Sequence, residues 1–169
     1  MSHYMAKKII ETMYSDVGVQ DSPECYIDDL WAGILREYFP SDYFQVVVQP
    51  SPTKGFTLRV DVAVWHERPN NKIIVFKNGG LESHSSAWKR AVEQLTAYLL
   101  EIRELMADTR KTYYAGVAIG RYVRFYVLYQ DSNGLQDYEG ADAAVQPFEV
   151  SKNEKDIHKV LTEWVGKFV

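Results

Sequence analysis

The apolar residues of this chain recur with two different spacings, which divide the sequence into helices and strands. Apolar residues three or four positions apart predict four amphipathic helices. Their ranges are residues 3–15, 22–39, 85–108 and 151–168. Alternating or continuous runs of β-branched and aromatic residues predict five strands. These strands span residues 43–49, 57–66, 72–78, 113–120 and 122–130.

The order of these elements predicts an α/β fold with a mixed sheet. The first three strands follow one another through connections rich in turn formers, such as ERPNN, and therefore form a meander. The long helix then crosses the sheet, and a strand after such a crossover usually lies parallel to the strand before it. We expect a central mixed five-stranded sheet flanked by helices, with residues 131–148 in a loop that could include one short edge strand.

Local signals predict where two of the helices begin. Ser22, Pro23 and Glu24 supply a hydroxyl cap, a first-turn proline and an acid near the positive end of the helix dipole. Ser151 and Glu154 have the spacing of a capping box, in which each side chain bonds a backbone amide at the helix start.

Three polar side chains lie on successive elements between residues 58 and 100. Asp61 interrupts a strand rich in valine, Lys77 ends the next strand, and Gln94 lies on the long helix. Because side chains alternate along a strand, the neighbour of Lys77 on its own face is Val75. The same alternation predicts which residues share a face with Asp61: Arg59, Ala63 and Trp65.

An acid on one hairpin strand and a lysine on its partner match the needs of metal-dependent phosphodiester hydrolysis. The metal is usually held by two carboxylates, and the lysine orients water or offsets charge on the phosphate. With the helix WKRAVEQLTAY and the hairpin AGVAIGRYVRFY, this order resembles the PD-(D/E)XK, or restriction-endonuclease-like, nuclease superfamily, above all its fungal members. The resemblance covers about residues 23–129 and implies a restriction-endonuclease-like core at about 22–130.

The resemblance also implies roles for single residues. Asp61 matches the metal-binding aspartate, Lys77 the catalytic lysine and Gln94 the glutamine of the following helix, with Mg or Mn as cofactor. The acid-x-lysine motif is incomplete, because Val75 stands where the second carboxylate belongs. Acids from elsewhere could replace it. The candidates are Glu24, Asp28 and Asp29 on the second helix, Glu82 after the lysine strand, and Glu93 beside Gln94.

Structural interpretations of the same residues stand beside these. Asp61 could face solvent and pair with Arg59 or Lys77 across the hairpin. Lys77 could be an exposed strand-end lysine, and Gln94 a structural amide. Cations and aromatics mix over residues 121–126 as on a nucleic-acid-binding strand, but Val123, Phe125 and Val127 form an ordinary core alternation, which we favour.

Composition narrows the classes of protein. With 169 residues and 46% hydrophobic content, we expect one domain over residues 1–169 that folds without disulfides.

A formal net charge of −4 does not support nucleic-acid binding unless basic residues cluster locally. Cys25, the single cysteine, is expected in the core, and the four histidines lack zinc-ligand spacing. No apolar run reaches signal-peptide or transmembrane length, so we expect an intracellular protein without a membrane span.

Three functions remain, in order of preference. The first is a PD-(D/E)XK-like domain with a degenerate catalytic site and a binding or regulatory role toward a protein or nucleic acid. The second is an active Mg- or Mn-dependent nuclease with a migrated acidic ligand. The third is a structural or assembly module, such as a homodimer formed through the tyrosine-rich strands.

Overall fold

The structure, a computed structural model, describes residues 3–17, 23–49, 59–67, 71–79, 85–105, 111–138 and 147–169. These ranges contain four α-helices and seven strands. The helices are α1 Lys8–Asp16, which follows a 3₁₀ turn at Tyr4–Ala6, α2 Glu24–Tyr38, α3 Ser85–Leu105 and α4 Glu154–Gly166. The strands are β1 Phe44–Val48, β2 Val62–His66, β3 Lys72–Gly79, β4 Tyr113–Ile119, β5 Tyr122–Leu128, β6 Gln136–Asp137 and β7 Phe148–Glu149.

The strands form one mixed sheet in the order β1-β2-β3-β4-β5-β6, and β7 also pairs with β5. β1, β2 and β3 are an antiparallel meander, β4 lies parallel to β3 after the α3 crossover, and β5 returns antiparallel. The predicted α/β class, meander and crossover are therefore confirmed. The predicted number of five strands is wrong, because β6 lies within residues 131–148 and β7 begins at its last residue, where a loop with one short edge strand at most was expected. Each has two residues, too few for a periodic signal.

The sheet separates two hydrophobic cores. The larger core lies between the sheet and α1, α2 and α4, and the smaller one lies between the sheet and α3. Alternation along β3 assigns side chains to the two sides, since Phe76 enters the larger core and Val75 the smaller one. Trp31 of α2 packs on Phe76, with ring centroids 4.9 Å apart. We call the two sides the α2 face and the α3 face.

The strand that carries Asp61 is shorter than predicted. Within the described residues β2 begins at Val62, and Asp61 lies in a bend just before it. Strict alternation fails at this bend, because Val60 joins the α3-face core that also contains Ala63. The predicted alternation, which puts Val60 on the face opposite to Asp61 and Ala63, is therefore wrong at Val60. The bend aims the Asp61 side chain toward the end of β3.

Two predictions about helix starts also need correction. Ser22 lies outside the described residues, and α2 begins at Glu24 with Pro23 as its N-cap and no side-chain cap bond. At α4 the capping box does not form, because the helix begins at Glu154 with Asn153 as its N-cap and no side-chain cap bond, so Ser151 is not the cap residue. Glu154 Oε1 accepts the backbone N–H groups of His3 and Met5, each at 2.7 Å. The Glu154 carboxylate thus binds the N-terminal turn to the start of α4.

One smaller expectation is also wrong. Cys25 is exposed on the first turn of α2 and is not part of the core. In the tyrosine-rich stretch, Tyr113, Tyr114 and Tyr126 are buried, whereas Tyr122 is half-buried and Tyr129 is exposed. No helix in the described part of the chain is long and apolar enough to cross a membrane.

Candidate functional site

Asp61 and Lys77 meet at the end of β3. The Asp61 carboxylate oxygen Oδ2 lies 3.2 Å from Lys77 Nζ and accepts the backbone N–H of Asn78 at 2.7 Å. The backbone N–H of Asp61 donates to the carbonyl of Phe76 at 2.9 Å. Asp61 is 9% exposed, so this ion pair is largely shielded from water. Of the two structural partners considered for Asp61, it is Lys77 that forms the pair, and Asp61 does not face solvent.

The position of the missing carboxylate is closed by apolar packing. The strand register places Val75 between Ala63 of β2 and Ala115 of β4. All three side chains belong to the α3-face core, and Val75 is fully buried. The face on which Lys77 projects therefore offers a hydrocarbon surface where acid-x-lysine chemistry needs an acid.

A second buried acid comes from α2. Asp28 is 1% exposed, and its two carboxylate oxygens accept the side-chain amides of Asn78, at 2.8 Å, and Gln49, at 3.2 Å. Burial raises the pKa of Asp28 above its ordinary value, and the two amide donors oppose this rise. The negative charges of Asp61 and Glu24 raise the pKa further.

Asn78 connects the two acids but also keeps them on different sides of the sheet. Its backbone N–H binds Asp61, and its side chain binds Asp28. Alternation along β3 sends Lys77 to the α3 face and Asn78 to the α2 face. The side-chain oxygen of Asn78 is buried without a hydrogen-bond partner among the described residues. Gln49 forms a second link, because its side chain donates to Asp28 at 3.2 Å and its backbone N–H donates to the Asp61 carbonyl at 2.6 Å. Asp28 thus reaches Asp61 only indirectly, through Asn78 and Gln49.

The other candidate residues remain outside this constellation. Gln94 and Glu93 are exposed on α3, and within the described ranges Gln94 makes no hydrogen bond to Asp61 or Lys77. Glu24 and Asp29 are exposed on α2. Glu82 lies outside the described residues. The prediction of a structural amide at Gln94 does not fit its exposure.

Asp61 and Asp28 are not arranged to bind one Mg or Mn ion together. Within the described ranges, no three His, Cys, Asp or Glu side chains come together as a metal-binding group. Asp61 Oδ2 is already shared between an ammonium and an amide, and Asp28 is held by neutral amides on the opposite face. Hard divalent cations need several oxygen ligands directed at one point, which this arrangement does not provide.

Sequence reasoning missed the polar contact between α2 and β3, although a signal for it exists. Asp28 falls within the apolar stripe of its helix, and Asn78 falls on the same strand face as Phe76. A polar residue on the core face of each of two neighbouring elements indicates a buried hydrogen bond, because unpaired polar groups are costly in a core.

Comparison of the chain with protein-family models, curated proteins and solved structures finds no match. The restriction-endonuclease-like fold and the nuclease assignment therefore stay predictions that rest on the residues of the chain itself.

Proposed function

We propose that this chain is a PD-(D/E)XK-like domain that no longer hydrolyses phosphodiesters and that acts by binding a ligand. One observation carries the proposal: Val75, the residue in the place of the second carboxylate, is sealed in the α3-face core between two alanines. No side-chain rotation at this position can supply an oxygen ligand.

The ion pair beside Val75 supports the same conclusion. Hydrolysis needs a metal ion on the acid and a lysine that serves water or phosphate. Here the Lys77 ammonium lies against Asp61 Oδ2 and neutralises the charge that would attract a cation. The pair stabilises the end of β3 and reduces the affinity of Asp61 for a metal.

A capacity for binding remains at this position. The Asp61 side chain is only 12% exposed, but the Lys77 side chain is 22% exposed and is the part of the pair that a ligand can contact. An anionic ligand can pair with Lys77 without displacing the backbone hydrogen bond that holds Asp61. The site therefore suits recognition of a negatively charged group better than its cleavage.

A cleavage assay tests the proposal. The protein is incubated with single- and double-stranded DNA and RNA in Mn, beside Asp61→Ala purified in the same way. We expect no cleavage by either protein. Cleavage by the wild type that disappears in Asp61→Ala would overturn the proposal, whereas cleavage by both preparations would reveal a contaminating nuclease.

An active nuclease with a migrated acid is the second candidate, favoured by the hydrogen bonds that link Asp28 to Asp61 through Asn78. In that case Asp28→Asn should abolish Mn-dependent cleavage as fully as Asp61→Ala does. Glu24→Gln, which changes an exposed acid of the same helix, is the matched control and should leave cleavage intact.

A further inference from the structure

We infer that the outer edge of β1 binds an extended peptide segment of another protein, and that a basic side chain of this segment enters a pocket at the start of the strand. The outward backbone groups of Val46 and Val48 form this edge, which we call the β1 edge. The pocket lies at the end of the β1–β2 pair that is remote from Asp61. The inference therefore adds a second binding site and is independent of the proposed loss of hydrolysis.

The β1 edge has backbone groups that can pair with another strand. β1 is the first strand of the sheet, and among the described residues only β2 pairs with it. Hydrogen bonds alternate along an antiparallel strand. The N–H of Gln49 donates to the Asp61 carbonyl at 2.6 Å, so the odd-numbered residues of β1 direct their backbone toward β2. The N–H and carbonyl groups of Val46 and Val48 point outward, and within the described ranges no residue bonds to them.

The composition of β1 favours the addition of a strand. Natural proteins commonly protect an exposed edge with lysine or proline. The sequence of β1, FQVVV, contains neither and carries no charge. Phe44 is buried in the larger core, and Val46 and Val48 are half-buried against that core. A peptide strand paired with this edge would therefore meet an uncharged template and cover both valines.

A surface pocket of about 180 Å³ opens at the start of β1. Its lining includes two acids, Asp42 and Glu67, and two aromatic residues, Tyr43 and Trp65. Trp65 is half-buried, and the other three are exposed. Gln45, which also lines the pocket, lies directly opposite Trp65, so both side chains project to the α3 face. We call this site the acidic pocket.

The two acids of the acidic pocket are available to a cation. Within the described part of the chain, no lysine or arginine forms a salt bridge with Asp42 or Glu67, and the imidazole of His66 lies 3.8 Å from Glu67. The ammonium of Lys72, a buried residue, lies 6.0 Å from the centroid of the Trp65 ring. Because that ring already has a cation beside it, the attraction for a basic ligand comes mainly from the two acids.

The β1 edge and the acidic pocket can be occupied by one ligand. A peptide paired with β1 would lie about 4.8 Å from it and would project alternate side chains to the α3 face. A lysine or arginine at such a position can cross β1 to the acids, and Tyr43 can cover its apolar stem. Main-chain hydrogen bonds would then supply affinity, and the pocket would supply specificity. A second copy of this chain is a poorer occupant, because its own FQVVV strand carries no cation.

The test is a binding titration of the full chain with labelled heptapeptides, followed by fluorescence anisotropy. The probe TVRVTVT places its arginine and threonines on one side of an extended strand and its valines on the other. TVEVTVT reverses the charge, and TVRPTVT removes a main-chain donor. We expect TVRVTVT to bind, and each control peptide to bind about tenfold more weakly, because one loses the charge complementarity and the other loses strand pairing.

Charge variants test the acidic pocket. The double variant Asp42→Asn/Glu67→Gln should weaken binding of TVRVTVT about tenfold, since two ion pairs are lost. It should also reduce the preference for TVRVTVT over TVEVTVT. The matched control is Asp156→Asn/Glu24→Gln, which removes one exposed aspartate and one exposed glutamate from α4 and α2. The control changes the net charge equally and should leave both affinities unchanged.

Amide hydrogen exchange, measured by NMR, tests the β1 edge. The outward amides of Val46 and Val48 should exchange quickly in the free chain and about tenfold more slowly with saturating TVRVTVT, because they gain acceptors. The amide of Val47 points toward β2 and should change little. Val46→Pro removes an outward donor at a position where an edge strand tolerates proline, and it should abolish binding. Should this variant fail to fold, the exchange measurement on the wild type decides.

Four outcomes would overturn the inference. They are no binding of TVRVTVT, equal affinity for TVEVTVT, slow exchange of Val46 and Val48 in the free chain, and a dimer of the chain that excludes the peptide. Slow exchange would mean that the edge is already covered, and the dimer would mean that a second copy occupies it. None of these outcomes affects the proposed loss of hydrolysis, because the cleavage assay tests that proposal separately.

Discussion

Asp28 and Asn78 show how single polar residues can be placed in an otherwise apolar interface. Each lies on the core face of its element, and the Asn78 side-chain amide donates to Asp28 Oδ1 at 2.8 Å. Gln49, the residue after β1, donates a side-chain hydrogen bond to the second carboxylate oxygen of Asp28. The interface between α2 and the sheet thus has a fixed polar contact that defines how the helix meets β3.

Substitutions at Asp28 should separate hydrogen bonding from charge. Because its pKa is raised, the folded state disfavours the charged form, and the carboxylate reduces stability once the pH exceeds its ordinary pKa. Asp28→Asn keeps an acceptor for Asn78 and removes the charge, so the free energy of unfolding at neutral pH should stay equal or rise. Asp28→Leu leaves the Asn78 amide unpaired and should lower the free energy of unfolding by about 1–3 kcal/mol. Urea unfolding measures this free energy for the two variants, and an equal loss in both would contradict the prediction.

His158 gives the molecule a pH dependence on the acid side. Its ring stacks on His3 with centroids 3.6 Å apart, and Nδ1 lies 2.9 Å from the Tyr38 hydroxyl. Burial, followed by the charge of His3, lowers the pKa of His158 below 6.5, while the charge of Glu154 opposes this. The folded state therefore favours the neutral ring. The contribution of His158 to the free energy of unfolding is present above pH 6.5 and is lost as the pH falls below that value.

Thermal melting between about pH 7.5 and pH 5 checks this expectation, since a histidine changes charge in that window. The midpoint should fall with acidification in the wild type and fall less in His158→Gln, which cannot become charged. Identical slopes for the two proteins would show that another group is responsible.

At the scale of elements, periodicity predicted the helices α2, α3 and α4 and the strands β1, β3, β4 and β5, because each has enough residues to repeat its pattern. Asp61 shows where periodicity fails, since it lies in a bend that no spacing indicates. The unformed capping box shows a second cause, because α4 begins two residues later than predicted, at Glu154, and the Glu154 carboxylate binds His3 and Met5, about 150 residues away in sequence. Local patterns cannot anticipate a competitor that arrives through tertiary packing.

The candidate site was also predictable only in part. Alternation and the hairpin were sufficient to place Asp61 beside Lys77 and Val75 on the lysine face. Sequence could not choose Asp28 from the other candidate acids, because that choice depends on the rotation of α2 against the sheet.

The contact between β3 and β4 yields a prediction about packing. A Cβ atom added at Gly116 would lie 2.5 to 2.9 Å from three ring carbons of Phe76, which is buried in the centre of the larger core. Gly116→Ala must displace that ring, and we expect it to lower the free energy of unfolding by about 1–3 kcal/mol.

Gly134→Ala is the matched control for Gly116→Ala, because nothing lies within 4 Å of a Cβ added at that position. Urea unfolding of the two variants compares them directly. A Gly116→Ala protein as stable as Gly134→Ala would mean that the Phe76 ring can move at no cost.

At the scale of the whole molecule, the segment around the 3₁₀ turn joins the far end of the chain. Glu154 Oε1 binds two backbone amides of this segment, and the buried Tyr4 hydroxyl donates to the carbonyl of Val150 at 2.6 Å. Glu154→Ala should therefore lower the free energy of unfolding by about 1–3 kcal/mol, since two backbone amides lose their acceptor. Lys155→Ala, an exposed neighbour, should change it little, and equal effects in urea unfolding would refute the assignment.

This contact between residues 3–5 and residues 149–158 has a consequence for synthesis on the ribosome. At roughly 5–20 residues per second, about 7–30 s separate the emergence of the two segments. During that interval the Tyr4 ring and the larger core have no α4 to pack against. The nascent chain therefore passes through a period with an incomplete apolar face, in which chaperones have access to surfaces that the finished protein buries.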